Sequence, residues 1–370
     1  MLPRKANLAA MLLVVGLLAS AVPSWGLPQS DTPHILNARQ ETRAASRSLN
    51  ATVTPIFAES AAPTWIGYTV AEVEGEGPVC CGNYHWDSPH GTCETCVLES
   101  THEGFNTCGE GGTVNLEGGN RLVVLLRVAD KRMIRIRLAS TNCTLDAGGL
   151  RFVWLTAVKP EESVTLLASF LRREDFEGRG DHGMSGQALA AIALHADSSA
   201  DRTMARFVAS EQPEELRRQA SFWLGAARGK PGLALLQRMA RNETSSDVRA
   251  HVTFALSVSK EPAAVEEMIC MAREDESSQV RGQALFWLAQ KAGKKASAVI
   301  TGAIENDPDT EVKKKAVFAL SQMPKDEGVP KLIEVAQNNK NREVRKQAMF
   351  WLGQSNDPRA LAFFEKVLSQ

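Results

Sequence analysis

The sequence predicts a mainly α-helical protein: an α-solenoid of about six helix pairs behind a β-rich N-terminal module. Three observations predict it. From about residue 184 the chain repeats with a 32-residue period. Six of the seven cysteines, Cys80 to Cys143, precede that repeat. The long apolar run lies at the N-terminus. The 370 residues suggest about two or three domains. With 44% hydrophobic and 23% charged residues, the composition is that of an ordinary globular protein. Basic residues (42) and acidic residues (43) balance, which argues against a nucleic-acid partner.

Residues 1–26 read as a secretory signal peptide. Arg4 and Lys5 give a positive start and Leu8 to Leu18 an apolar run. Ala19, Ser20 and Ala21 are small residues near one cut, and a second candidate cut follows Gly26. The run is about half the roughly 20 residues a spanning helix needs, so cleavage leaves no membrane span. The mature chain is expected to be exported, periplasmic or extracellular, where disulfides persist. Residues 27–62 are polar and alanine-rich and are expected to form a mobile leader.

Residues 63–158 are expected to form a Cys-rich, β-rich module. Cys80, Cys81, Cys93, Cys96, Cys108 and Cys143 are an even set, which in an exported chain points to three disulfides. Adjacent Cys80 and Cys81 suit separate partners, because a bond between them strains the peptide. An alternative is a zinc site made by His85, His90, Cys93 and Cys96, since tetrahedral zinc accepts nitrogen and sulfur ligands at such spacing. Cys93 and Cys96 could also form a redox pair. Either alternative makes the module a metal-dependent or thiol-redox enzyme or sensor; otherwise no cofactor is expected. Around the cysteines the pattern is strand-like. Trp65 to Val73 reads as a strand, and Arg121 to Val128 and Met133 to Leu138 flank a turn at Ala129-Asp130-Lys131. Ile134, Ile136 and Leu138 alternate with Arg135 and Arg137, which predicts one buried and one basic face. Gly148-Gly149 then turns the chain into a strand from Arg151 to Val158.

Residues 159–180 are expected to hold a capping helix and a loop. Val164, Leu167, Ala168 and Leu171 recur at helical spacing between Glu161 and Arg173. Residues 181–370 are the repeat. Leu216, Val248, Val280, Val312 and Val344 lie 32 residues apart. Each is followed by Arg217, Arg249, Arg281, Lys313 or Arg345. Four positions on come Ala220, Val252, Ala284, Ala316 and Ala348, and eight on Leu224, Leu256, Leu288, Leu320 and Leu352. At about 100° per residue these form one buried stripe on a first helix. A second helix follows a short break, as at Asn356-Asp357-Pro358. Neither helix of a pair can bury its apolar face alone, so stacked neighbours complete a continuous core.

Glu343-Val344-Arg345, Ala348, Trp351-Leu352-Gly353 and Asp357-Pro358-Arg359-Ala360-Leu361 resemble the short HEAT-like repeats of phycobilisome lyases. The resemblance covers roughly half the chain and implies a HEAT-like solenoid. The lyases attach bilins inside cells, an activity that export makes improbable here.

Two features depart from a plain repeat. Phe222, Phe254, Phe286, Phe318 and Phe350 form a ladder six positions into each copy. Trp223, Trp287 and Trp351 follow in alternate copies, with Ala255 and Ala319 between. One reading is packing between repeats, each Trp over a neighbouring Ala; the other is an aromatic strip that binds a protein or peptide. The arginine ladder is expected to pair with acids near repeat boundaries, such as Asp307 and Asp309. Cys270 sits opposite the buried face of its helix and is expected to be exposed, leaving a monomer or a Cys270-linked dimer. Gly183-Met-Ser185-Gly186 is not a nucleophile turn, and no phosphate loop or His-Glu-x-x-His is present. The expected function is an exported protein-binding scaffold or adaptor rather than an enzyme.

Overall fold

The computed structural model describes residues 32–74, 95–99, 121–177, 183–291 and 293–369. Order begins well inside the segment expected to be mobile. Strands β1 (His34–Leu36) and β2 (Arg39–Ala44) and helix α1 (Leu49–Glu59) lie there. The reason is local. Leu49, Val53 and Ile56 recur at helical spacing and are buried, and the Ser48 hydroxyl accepts the Ala51 amide to cap the first turn. Strand β2 looks disordered by composition because it is polar and, among the described residues, an edge strand paired with β8.

The remaining strands are β3 (Thr64–Ala71), β4 (Thr95–Val97), β5 (Arg121–Ala129), β6 (Arg132–Ser140), β7 (Thr144–Asp146) and β8 (Arg151–Thr156). Five of them form a sheet in the order β2-β8-β3-β5-β6. β8 pairs parallel to both β2 and β3, whereas β3, β5 and β6 run antiparallel. The β5–β6 hairpin turns on Asp130 and Lys131, both at positive φ (50° and 59°), the geometry of a two-residue hairpin loop. Gly148 and Gly149 adopt positive φ (62° and 81°) before β8.

Both faces of this sheet are covered, which explains the unbroken apolar run Leu122 to Leu126. Ile66, Tyr68, Val124, Leu126 and Val153 face α1, α2 (Pro160–Ala168) and the helical repeats. Trp65, Val123, Leu125, Phe152 and Trp154 face a second cluster with Cys96, Cys143 and Leu145. That side carries a small parallel sheet, β1-β7-β4. The alternation predicted for β6 holds only in part: Ile136 is buried, but Ile134 is exposed and Arg135 and Arg137 are half-buried.

Twelve helices, α3 to α14, form six pairs. The first helices are α3 (Gly183–Leu194), α5 (Glu214–Ala227), α7 (Ser246–Val258), α9 (Ser278–Lys291), α11 (Thr310–Gln322) and α13 (Arg342–Gln354). The second helices are α4 (Ser198–Phe207), α6 (Gly229–Asn242), α8 (Ala263–Glu274), α10 (Gly293–Asn306), α12 (Lys325–Asn338) and α14 (Pro358–Leu368). The predicted stripe is buried: Val248, Val280, Val312 and Val344, with Leu224, Leu256, Leu288, Leu320 and Leu352. A further 32-residue series marks the start of the second helices: Gly232, Ala264, Ala296, Gly328 and Ala360. A Cβ at Gly232 would collide with the Leu224 carbonyl, and one at Gly328 with the Leu320 carbonyl. The helices of a pair therefore approach closely at that level.

The β-rich part and the solenoid share one apolar core, so the boundary expected between them is a boundary in sequence only. Helix α2 is shorter than predicted and is followed by a 3-10 turn at Arg173–Phe176. It packs against α1, α3 and α4, and its Ser163 hydroxyl meets Tyr68 of β3. Strand β3 continues onto the end of α3, with the Val73 amide on the Leu194 carbonyl (3.0 Å) and the Ala196 amide on the Ala71 carbonyl (2.9 Å). The Gln187 side chain accepts the Ile136 amide (3.2 Å) from β6. Among the described residues no helix is long and apolar enough to cross a membrane.

Candidate functional site

The aromatic ladder is continuous across five first helices. Phe222 stacks on Phe254 (ring centroids 5.7 Å apart, planes at 17°), and Phe286 stacks on Phe318 (5.8 Å, 7°). The tryptophans join these stacked pairs. Trp287 lies 4.8 Å from Phe254, and Trp351 lies 4.9 Å from Phe318, each across a repeat boundary. Within a helix Trp223, Trp287 and Trp351 stand edge-on to Phe222, Phe286 and Phe350. The 64-residue alternation is thus the period of this stack. Packing and exposure, the two readings of the ladder, divide between the residue types. Trp223, Trp287 and Trp351 pack against the main core, whereas the phenylalanines lie outside it. Phe222, Phe254, Phe286 and Phe318 are half-buried and Phe350 is exposed.

Stacking decides what this ridge can touch. Phe222, Phe254, Phe286 and Phe318 each give one face to a stacking partner, and all four are half-buried. Ring edges carry partial positive charge and suit carbonyl oxygens and aliphatic groups. Helical spacing sets polar side chains beside the rings: Gln283 and Gln290 around Phe286, and Gln347 and Gln354 around Phe350. His251 stands edge-on to Phe254 at 5.6 Å. Burial, then the nearby Arg218, pushes its pKa below the usual histidine value.

The arginine ladder has a different role. Arg217 pairs with Glu243 (2.9 Å), Arg249 with Asp275 (2.9 Å) and Arg281 with Asp307 (2.8 Å), all buried. Each arginine also holds the loop that precedes its own helix. Arg249 donates to the Glu243 and Thr244 carbonyls, and Arg281 to those of Asp275 and Glu276. One guanidinium therefore ties two successive loops, and the series runs as a cross-brace along the solenoid. Where Lys313 replaces arginine, Asn339 stands at the acid position, and among the described residues the lysine bonds the Glu305 carbonyl. Asp309, the other acid expected as a partner, caps α11 through the Glu311 amide.

A Tyr-Ser-His chain lies at the joint between sheet and solenoid. The Tyr68 hydroxyl meets Ser163 Oγ (2.9 Å), Ser163 Oγ meets His195 Nε2 (2.9 Å), and His195 Nδ1 meets the Ala191 carbonyl (2.6 Å). The carbonyl can only accept, so Nδ1 carries the proton, Nε2 accepts from Ser163, and Ser163 accepts from Tyr68. Every group in the chain is satisfied with a neutral imidazole. Burial pushes the His195 pKa down to about 4 and pushes the Tyr68 pKa up. A serine beside a histidine invites a catalytic reading. All three side chains are fully buried, and the imidazole is oriented by a carbonyl, so the chain serves as a polar joint.

Cys96 and Cys143 are disulfide-bonded, and in that state Cys96 offers no thiolate to zinc. His85, His90, Cys93, Cys80, Cys81 and Cys108 lie outside the described residues. Among the described residues no three His, Cys, Asp or Glu side chains converge as a metal site. Cys270 is free and exposed, and burial with the adjacent Glu274 raises its pKa.

A comparison with curated proteins finds no match. Among solved structures, human deoxyhypusine hydroxylase is 15% identical, with a TM-score of 0.29, over 56% of this chain and 90% of that one. Kap95p, solved with RanGDP, is 19% identical over 57% of this chain and 32% of that one, at a TM-score of 0.35. The CpcE–CpcF complex of the Nostoc phycocyanin lyase is 16% identical over 56% and 81%, at a TM-score of 0.28. The sequence model of HEAT repeats matches residues 265–349 and 297–370. Residues 265–370 are therefore HEAT repeats, and the helix pairs from Gly183 onward build one solenoid with them.

Proposed function

We propose that this chain is an exported scaffold that binds another protein or peptide along the Phe222–Phe350 ladder. The observation that carries the reading is the division of labour within the ladder. Its tryptophans pack on the core, while its phenylalanines lie outside that core, four of them half-buried and Phe350 exposed. A polypeptide suits such a ridge, because its carbonyls meet ring edges and its side chains meet the aliphatic rims. Export rests on the signal-like pattern of residues 1–26, with Cys96 and Cys143 in disulfides as support.

The test is paired capture from the native extracellular or periplasmic fraction. Wild-type protein and a Phe286→Ala/Phe318→Ala variant are compared, with Lys295→Ala on α10 as a control. The reading expects a partner retained by wild type and control, and reduced at least about tenfold by the ladder variant, as a central hot spot requires. Equal recovery by all three would reject the ladder as the contact surface.

A further inference from the structure

The geometry points to a proline-rich segment in the polyproline II conformation as the partner that seats on the ladder between α9 and α13. The inference rests on the ladder being a contact surface and names the chemistry of its occupant. Polar groups around the rings decide that chemistry. Gln283 and Gln347 stand one turn before Phe286 and Phe350, and Gln290 and Gln354 one turn after. Among the described residues none of these four amides has a hydrogen-bond partner, and neither does the exposed Lys315. The nearby carboxylates are already engaged. Glu311 pairs with Lys314 (3.0 Å), Glu343 pairs with Lys346 (3.0 Å), and Asp247 accepts the Gln279 amide (2.8 Å). A basic segment would find those carboxylates taken, and an acidic one would find few free cations. An uncharged chain that offers carbonyl oxygens matches what is left.

Two enclosed donors call for the same acceptor. The indole Nε1 groups of Trp287 and Trp351 are shut off from water and have no hydrogen-bond partner among the described residues. Such orphans are rare in folded proteins. These two occupy equivalent positions in the stack, each edge-on to the phenylalanine before it. A turn of the indole on binding brings each N–H to a carbonyl laid along the ridge. Proline has no backbone N–H, so a proline-rich chain brings acceptors with few donors of its own to satisfy.

Spacing selects the conformation. Packed helices lie about 8–10 Å apart, and polyproline II advances about 9.3 Å per three-residue turn. One turn therefore spans one repeat, and every third residue meets an equivalent ring. The ladder from Phe286 to Phe350 takes two such steps, a footprint of about six residues. A β-strand returns a side chain to the same face about every 6.8 Å and falls out of step with the rungs. Proline-rich segments dock on aromatic surfaces in this way, and a chain already fixed in one conformation loses little entropy on binding.

The experiment is fluorescence anisotropy of labelled decaproline titrated with the full chain, with a labelled Gly-Ser peptide of equal length as the comparison. Saturable binding of decaproline is expected, with the Gly-Ser peptide at least about tenfold weaker. Phe286→Ala/Phe318→Ala is expected to weaken decaproline binding at least about tenfold. Gln283→Ala/Gln347→Ala, outside the core, is expected to weaken it at least about threefold with an unchanged circular dichroism spectrum. No saturable binding of decaproline, equal binding of the two peptides, or binding insensitive to both variants would each overturn the inference. A partner captured through the ladder while decaproline stays unbound would overturn this inference alone and leave the ladder as a contact surface. Loss of both would reject the ladder reading as well.

Discussion

At the scale of single residues, the solenoid is braced by charge. Removing one partner of a buried ion pair strands the other, at a cost of about 3–5 kcal/mol. Arg281→Leu is expected to destabilise the fold by about that amount, because it leaves Asp307 buried without its cation and two carbonyls without a donor. Lys313→Ala, which removes one exposed bond, is expected to cost under about 1 kcal/mol. Urea denaturation of the two variants checks the contrast. This brace was legible in sequence, since Arg281 and Asp307 recur in step with the repeat. The Tyr68–Ser163–His195 chain was not legible, because its members come from a strand and two helices far apart in the chain.

That chain has a pH signature. His195 titrates near 6.5 when unfolded and at about 4 when folded, so in between the unfolded state binds the extra proton. Its contribution is fully present above about pH 6.5 and is lost as pH falls toward 4, on the order of 3 kcal/mol in all. The groups around the imidazole are Glu72, Asp197, Arg228 and Tyr68. Stability of wild type relative to His195→Gln should fall between pH 7 and pH 4.5. A difference independent of pH would show that His195 does not titrate as described.

At the scale of elements, the small-residue series at the helix crossings is the main constraint on pairing. Gly232→Val is expected to lower stability by several kcal/mol, because the new side chain meets the Leu224 carbonyl, which cannot move without shifting α5. Gly353→Ala on α13 meets open space and is expected to stabilise by up to about 1 kcal/mol. Melting temperatures moving in opposite directions would support this; a neutral Gly232→Val would refute close approach there. The helices themselves were readable because a 32-residue period repeats the same stripe several times. Strands β1 and β2 and helix α1 escaped because each occurs once. A polar edge strand such as Arg39–Ala44 has the composition of a disordered segment, and Pro55 disguises α1. The i, i+4, i+7 spacing of Leu49, Val53 and Ile56 was the available signal.

At the scale of the whole molecule, one apolar core runs from the sheet through the last helix pair. The sheet does for the first repeat what each repeat does for the next. It covers an apolar face, and it adds main-chain hydrogen bonds at the β3–α3 junction. Sequence patterning separated the two regions because their periods differ, two residues in strands and 3.6 in helices, and a change of period is silent about whether a core is shared. Cooperative unfolding is therefore expected, with sheet and helices melting together by near- and far-ultraviolet dichroism. Two resolved transitions would contradict a shared core. The ladder was legible as a series of residue types, but its split into tryptophans packed on the core and stacked phenylalanines outside it needed the three-dimensional stack.

The measurement that bears most directly on the scaffold reading is the paired capture with Phe286→Ala/Phe318→Ala. The ladder account predicts that a partner held by wild-type protein and by the Lys295→Ala control is lost from the folded ladder variant. Undiminished capture by that variant would contradict it.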